Sequence, residues 1–440
     1  MAIEDAPAAA AAKPAALELT PAYVRYALGL LLVVYTLNFL DRQIVNILAH
    51  PIQKELGLSD TQLGLLTGLA FALFYTVLGI PIARYADRPT SHRPAIIAVA
   101  LAVWSGMTAL CGLAQNFTQL LLARVGVGVG EAGCTPPAHS LITDYVPREK
   151  RASAMAFYGL GVPLGSLLGM VLGGILADLY GWRVAFMAVG IPGVILAFVV
   201  YFTLREPRMQ AAMKAARAAA PPATQLSTRE VLREVVSSKA FVLLAAGAAF
   251  IAFLGYGKGV WTTILFARIH GLSPGEVGLW LGISAGIGGM IGMWLGGWFG
   301  DRYGKSNPRH YVTAPAIAMA LSAPFLFFGY TAGDWRVALL LIFLPAIANN
   351  LYYGPTFALV QMLVRPQARA VAAAIMLFVI NLVGLGLGPL AFGMLSDALK
   401  PIAGDQSVRW VLVCAAFLGI VPGVLFWIAG SRLRTEIKSA

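Results

Sequence analysis

Two stretches of this chain place ionisable side chains inside runs that are otherwise apolar. In Tyr35-Thr-Leu-Asn-Phe-Leu-Asp41-Arg42-Gln-Ile-Val-Asn46 an acid and a base arrive side by side after fourteen largely apolar residues, Ala27 to Leu40, and the apolar pattern resumes at Ile44. In Leu122-Ala-Arg124-Val-Gly-Val-Gly128-Val-Gly130-Glu131-Ala-Gly133 the base and the acid are seven residues apart, two helical turns, hence on one helix face. Charge so deep in a membrane span is costly and faces a partner or a water-filled cavity. The chemistry open to such groups is proton binding: a carboxylate stripped of water holds its proton, and a nearby arginine makes it let go. Two plainer readings stand beside this one. The first helix stops at Leu40 and leaves Asp41-Arg42 in the headgroups, or Arg124 and Glu131 form a structural ion pair between helices.

The second half carries one intramembrane charge, Lys258, within Phe253-Leu-Gly-Tyr256-Gly-Lys258-Gly-Val-Trp261. Asn349, Asn350, Tyr352 and Tyr353 follow on a later apolar segment and Asn381 on the next. With Arg42 and Arg124, the residues Lys258, Tyr256, Asn349, Tyr353 and Asn381 form a candidate binding set for an anionic headgroup beside an apolar wall. The alternative for Lys258 is a side chain that snorkels to the interface.

The elements that must position these groups follow from composition. Of 440 residues, 59% are hydrophobic and 12% charged, with mean hydropathy +0.76. A soluble domain carries about a quarter charged residues, so this is a polytopic, all-α membrane protein. Its 47 glycines suit close helix packing in lipid. Cys111, Cys134 and Cys414 lie far apart and show no metal or disulfide spacing. No metal, cofactor or nucleic acid is expected: the net charge of +12 is not interleaved with stacking aromatics and reads as topogenic.

Residues 1–21 read as a disordered cytoplasmic tail and not a signal peptide, because their apolar content is alanine and they carry Glu4 and Asp5. Six spans of about 20 residues or more fill 22–204. A polar linker follows over 205–238, in part an amphipathic surface helix. Six more spans fill 239–431, and 432–440 is a basic tail. Three of the 32 Lys and Arg, namely Arg42, Arg124 and Lys258, then lie within the membrane. Six lie in alternate connections (Lys54, Arg183, Arg268, Arg336, Lys400, Arg409), and the other 23 on the opposite side with both termini. By the positive-inside rule both termini are cytoplasmic and the protein is multi-pass in the inner (plasma) membrane.

The halves repeat. Ala83-Arg84-Tyr-Ala-Asp87-Arg88 follows the second span and Gly297-Trp-Phe-Gly-Asp301-Arg302 the eighth. An acid-base loop at one place in each half signals duplication, and six-helix repeats around a midplane site are a transporter architecture. Asp87, Arg88, Asp301 and Arg302 are candidates for a cytoplasmic latch between the halves. These segments resemble the loop motif of the major facilitator superfamily. The second copy fits well; in the first, Ala83 replaces the leading glycine and a residue is inserted before Arg93. Gly128-x-Gly130-x-x-Gly133 matches a dinucleotide fingerprint in letters only, for that needs a strand before it and a βαβ unit around it. The fourth span instead resembles the fourth-helix motif of proton-coupled antiporters in the same superfamily at Arg124 and Gly128. The fifth, Gly159-Leu-Gly161-Val-Pro163-Leu-Gly165, resembles the exporters' glycine/proline motif.

Asn38-Phe-Leu-Asp41-Arg42-Gln-Ile-Val-Asn46, taken with Gly128-Val-Gly-Glu131-Ala, is similar to the Spinster family of that superfamily. The resemblance implies twelve transmembrane helices in two pseudo-symmetric six-helix bundles and a lipid-like substrate, such as a lysolipid or a sphingoid phosphate. It carries the family's acid-base pair onto Asp41 and Arg42 and its fourth-helix charges onto Arg124 and Glu131.

At 1.5 Å per residue Asp41 lies about 24 Å along the first span and Arg124 about 10 Å into the fourth, which runs the other way. In an apolar core about 30 Å thick these are similar depths. Asp41 is therefore expected to approach Arg124. Glu131 lies about 10 Å deeper, nearer the midplane, where Arg42 is expected to reach it, and Asp41 and Glu131 are the proton-coupling acids. The expected protein is a monomeric, proton-coupled exporter of an amphipathic anion, working by alternating access, and not an enzyme. Its partners are membrane lipids, the substrate and protons. Rival readings are an exporter of drugs or organic anions, a membrane-embedded lipid-modifying enzyme using His139 with Asp144, and a passive channel. No Gly-x-x-x-x-Gly-Lys-Ser/Thr loop is present for ATP.

Overall fold

The computed structural model describes residues 19–88, 90–207, 228–304 and 306–437. Most of the expected N-terminal tail, much of the linker and the last residues of the basic tail lie outside the described residues. Those described form helices and turns, with no strand.

Twelve helical spans cross the fold. The first is α1, Pro21–Leu56, capped by Thr20, whose hydroxyl accepts from Tyr23 N–H, and closed at Gly57 in the left-handed region. It runs through Asp41 and Arg42 without a break, so the helix does not stop at Leu40. Next come α2, Asp60–Ala86, and α3, Arg93–Cys111. The fourth span, α4, is interrupted: Phe117–Glu131 ends at the acid, and the helix resumes as Thr135–Tyr145 with Pro136 and Pro137 in its first turn. Freed backbone groups at such a break are tolerated in a membrane where protein covers them.

A single helical run, Ser153–Thr203, turns at Gly181 (φ 81°) and so supplies both α5, 153–180, and α6, 182–203. The second half repeats the plan with α7, Lys239–Arg268; α8, Pro274–Gly304; α9, His310–Thr331; and α10, Trp335–Leu363. A last run, Val371–Leu433, reverses at Gly404 (φ 54°) to give α11, 369–403, and α12, 407–437. Length and apolarity alone recognise nine membrane-crossing helices among the described residues. The other three follow from the two reversals and from the interrupted α4.

Small residues set the spacing. Gly165 and Gly169 of α5 lie against the Thr36 and Leu40 carbonyls of α1, where no Cβ fits. Gly128 and Gly130 of α4 lie equally close to the Phe71 and Trp104 backbones of α2 and α3. The glycines of the fourth span are thus a packing surface. They hold Arg124 and Glu131 against their neighbours.

The start of α1, the Asp87 and Asp301 connections and the helix Thr228–Ser237 lie at one end of the bundles, called here the basic face. Between described residues, every hydrogen bond that joins the two bundles lies in the half away from it.

Candidate functional site: buried charges between two bundles

Asp41, Arg124 and Glu131 are each 2% exposed or less, which rules out the headgroup placement. The Arg42 guanidinium donates from Nε to Glu131 Oε2 at 2.7 Å, joining α1 to α4 and making the contact expected of the two residues. Its flat face lies over the rings of Tyr75 (4.4 Å), Phe39 (4.8 Å) and Phe71 (5.1 Å). Stacked on rings while it donates from Nε, Arg42 uses a planar geometry that lysine lacks. The second Glu131 oxygen, Oε1, has no hydrogen-bond partner, and Asn38 stands beside this carboxylate.

Asp41 and Arg124 act on one another electrostatically but form no ion pair within 4 Å. The expected approach is therefore real in depth and not in contact. Arg124 sends Nε towards the Leu66 carbonyl at 3.5 Å, lies 5.4 Å from the Phe71 ring and leaves Nη1 without a partner. Asp41 turns towards Trp104 and Thr108 of α3, and its Oδ1 is likewise unpartnered. Buried polar atoms left without partners are rare and costly. Four ionisable groups in one buried cluster, only two of them directly paired, form an arrangement whose pairing a proton or an anion can re-sort.

The cluster borders a small cavity, which shares Gln43 with a larger one. The small one, about 30 Å³, is lined by Arg42, Asn46 and Arg124 of the first bundle and by Tyr256, Leu385 and Pro389 of the second. The larger one, about 290 Å³, is lined by Lys258, Asn349, Asn350, Tyr330 and Ser284, and reaches Gln43, Ser166 and Met170 of the first bundle. Lys258 thus lines a partly open cavity between helices. No acid lines that cavity, and no carboxylate among the described residues pairs with Lys258.

Of the expected binding set, Arg42, Arg124 and Tyr256 line the small cavity and Lys258 and Asn349 the larger one. Tyr353 and Asn381 line neither. Tyr353 packs on Tyr352 and Phe357, and Asn381 lies in the widened π-helical turn Ile380–Leu387 of α11. The sequence reading gave no role to Gln43, Tyr75 or Ser284. An amide, a ring and a hydroxyl are common in membrane helices, and only their position marks them.

The four latch residues Asp87, Arg88, Asp301 and Arg302 are exposed. Among the described residues none of their side chains reaches the other bundle. Arg88 lies over Tyr85 of its own helix at 5.5 Å. Asp144, the acid that an enzymatic reading would pair with His139, is bound instead to Arg93 at 2.6 Å. The His139 ring packs edge-on against Tyr158, 5.4 Å between centroids.

Two bundles of six helices around a buried, charged midplane are the plan of a secondary transporter, and the chain belongs to the Major Facilitator Superfamily, whose profile matches residues 31–389. Within it the chain is of the Spinster type. It superposes with TM-score 0.85 and 31% identity, over 95% of this chain and 99% of the other, on a bacterial homologue of the human lysosomal transporter Spinster, solved inward-facing and unoccupied. It is 34% identical to an MFS-type efflux pump of Mycolicibacterium smegmatis over 93% of this chain and 94% of that one. To the spinster homolog 1 protein of Xenopus laevis it is 26% identical, covering 92% and 80%.

Proposed function

We propose that this chain is a proton-coupled exporter of an amphipathic anion, a lysolipid or sphingoid phosphate, and that Asp41 and Glu131 carry the proton. The observation that supports this reading best is the Arg42–Glu131 pair, the only ion pair of the charge cluster among the described residues, beside a small cavity that shares Gln43 with the larger one holding Lys258. Protonation of Glu131 frees Arg42 for an anionic head. Return of the pair expels the anion. Lys258, Asn349 and Tyr256 complete the head site, with Tyr353 and Asn381 joining it once the bundles rock. The apolar chain lies along the Met170, Leu281 and Leu326 walls.

The moving bodies are 22–204 and 239–431, joined by the linker 205–238. Both termini and the basic face are cytoplasmic, in the inner membrane, and a single chain suffices. Because the contacts between bundles lie away from the basic face, the conformation is inward-facing, and the Asp87-Arg88 and Asp301-Arg302 latch is open. No catalytic step is assigned to the chain.

Liposomes holding the purified protein test this with a lysolipid panel, a cationic dye and an organic anion under an imposed pH gradient. The reading requires gradient-driven movement of intact lysolipid. Movement of the dye or organic anion alone would favour the general efflux reading that the mycobacterial relative suggests, and lysolipid recovered chemically altered would overturn transport as the activity.

A further inference from the structure

The far face is closed by one device used twice. The sequence reads Gly57-Leu-Ser59-Asp60-Thr61-Gln62-Leu-Gly64 at the head of α2 and Gly271-Leu-Ser273-Pro274-Gly275-Glu276-Val-Gly278 at the head of α8. It reads Gly174-Ile-Leu-Ala-Asp178 near the far end of α5 and Gly393-Met-Leu-Ser-Asp397 near that of α11. Gly57 and Gly271 both take a left-handed φ, 63° and 69°. Ser59 and Ser273 both cap their helices in reciprocal capping boxes, with Gln62 and Glu276.

The pieces then cross between bundles. Asp178 of the first bundle accepts from Gly275 N–H at 2.9 Å and Ser273 Oγ–H at 2.7 Å, at the N-terminus of α8. Asp397 of the second bundle accepts from Thr61 N–H at 2.7 Å, Asp60 N–H at 3.1 Å and Thr61 Oγ1–H at 2.6 Å, at the N-terminus of α2. The glycines match as well. A Cβ on Gly174 would overlap the Pro274 carbonyl, and one on Gly393 the Asp60 carbonyl. In the reverse direction Gly278 lies on the Met170 carbonyl and Gly64 on the Pro389 carbonyl.

We propose that Asp178 and Asp397 are twin latches of the far gate, each holding the opposite bundle by the N-terminus of a helix. A helix N-terminus carries about half a positive charge and free N–H donors, so a carboxylate docks there and is released without needing a cationic partner. The glycines let the helices approach closely enough for the contact and leave nothing interlocked when it opens. The two latches differ in strength. Beside Asp397 the buried Asp60 carboxylate takes Arg268 at 2.8 Å, Gln53 at 2.5 Å and Ser396 at 2.6 Å, all within the same seam. The Asp178 latch is exposed and has no such second layer. Asp397 therefore holds the gate and Asp178 assists it.

This inference rests on the transporter reading only in that the far face must open. The test measures accessibility and not flux, so its failure leaves transport and proton coupling where they stand. Asn46, which lines the small cavity between the bundles, is replaced by cysteine in a chain lacking Cys111, Cys134 and Cys414. Labelling with a membrane-impermeant maleimide is then timed from each side of oriented vesicles. Loss of one carboxylate should raise far-side labelling about two- to five-fold, more for Asp397→Asn than for Asp178→Asn and most for the double variant. Labelling from the basic side should fall in step. Unchanged far-side labelling in the double variant would overturn the proposal. So would a rise on both sides together, which marks loosening and not a gate, or an equal rise in the control Asp405→Asn.

Discussion

Glu131 and Arg42 illustrate what can be read from single residues in a membrane protein. Charged side chains are so expensive there that each one is a signal; helical rise put Asp41 and Arg124 at similar depths and Glu131 about 10 Å deeper, within reach of Arg42. Contact was less legible. Asp41 was expected beside Arg124, yet each turns to polar neighbours on another helix, because a side chain chooses its direction at close range and depth says nothing of that. Tyr75 under Arg42 and Gln43 between the cavities carry no charge and gave no signal.

The pair has a stability consequence. Removing one partner of a buried ion pair costs about 3–5 kcal/mol, whereas removing both is often neutral. Thermal unfolding in detergent should therefore rank Glu131→Gln and Arg42→Gln each well below the parent, with the double variant above both. A double variant as unstable as the sum of the singles would mean that the pair does not act as a unit. Lys258 offers a second check at this scale. Lys258→Met should weaken binding of an anionic lysolipid about ten-fold, the size of one charge-assisted hydrogen bond, and Lys258→Arg should retain most of it. Isothermal titration with a neutral monoglyceride, expected unchanged by Lys258→Met, separates loss of charge from loss of shape.

Helices were legible in order and nearly in extent, because about 20 apolar residues are needed to cross and the flanking arginines fix the parity of the count. Interruptions were less so. The break after Glu131 places the acid at a helix end, and the glycine motif that precedes it proved to be contact with α2 and α3. The duplicated Gly-Leu-Ser heads of α2 and α8 stand in the sequence, but nothing in their own letters says that Asp397 and Asp178 receive them. That knowledge comes with the crossing of the bundles.

Outside the membrane, the amphipathic helix Thr228–Ser237 buries Val231 and Val235 and ties down through Glu234, which accepts from Arg365 N–H at 3.0 Å and from its guanidinium at 2.9 Å and 3.1 Å. Burial works against the Glu234 charge, but the Arg365 hydrogen bonds and charge outweigh it and hold the carboxyl below its ordinary range. A depressed folded pKa means that the contact stabilises the docked helix above the unfolded carboxylate value and is lost as pH falls through the folded one. Hydrogen exchange over 228–237 should be slow at neutral pH, speed up on acidification below the carboxylate range, and be fast at every pH in Glu234→Gln. A helix equally protected in that variant would show that Val231 and Val235 alone dock it.

At the scale of the whole molecule, two bundles meet at a buried, charged midplane, and the hydrogen bonds that tie them together among the described residues lie towards one face. In the proposed mechanism, proton binding at Glu131 and anion binding at Arg42 are linked through the one ion pair they share, and that linkage is the coupling. The fold itself was legible from the repeat of its loops and from composition. The state of the molecule, closed on the far face, was not, since one sequence must encode both states. The most direct test of the account is proton uptake coupled to lysolipid movement in liposomes, compared among the parent, Asp41→Asn and Glu131→Gln. The account predicts gradient-driven accumulation in the parent, and in each variant the loss of accumulation with protein still folded and inserted. Accumulation with unchanged dependence on the pH gradient in both variants would contradict it.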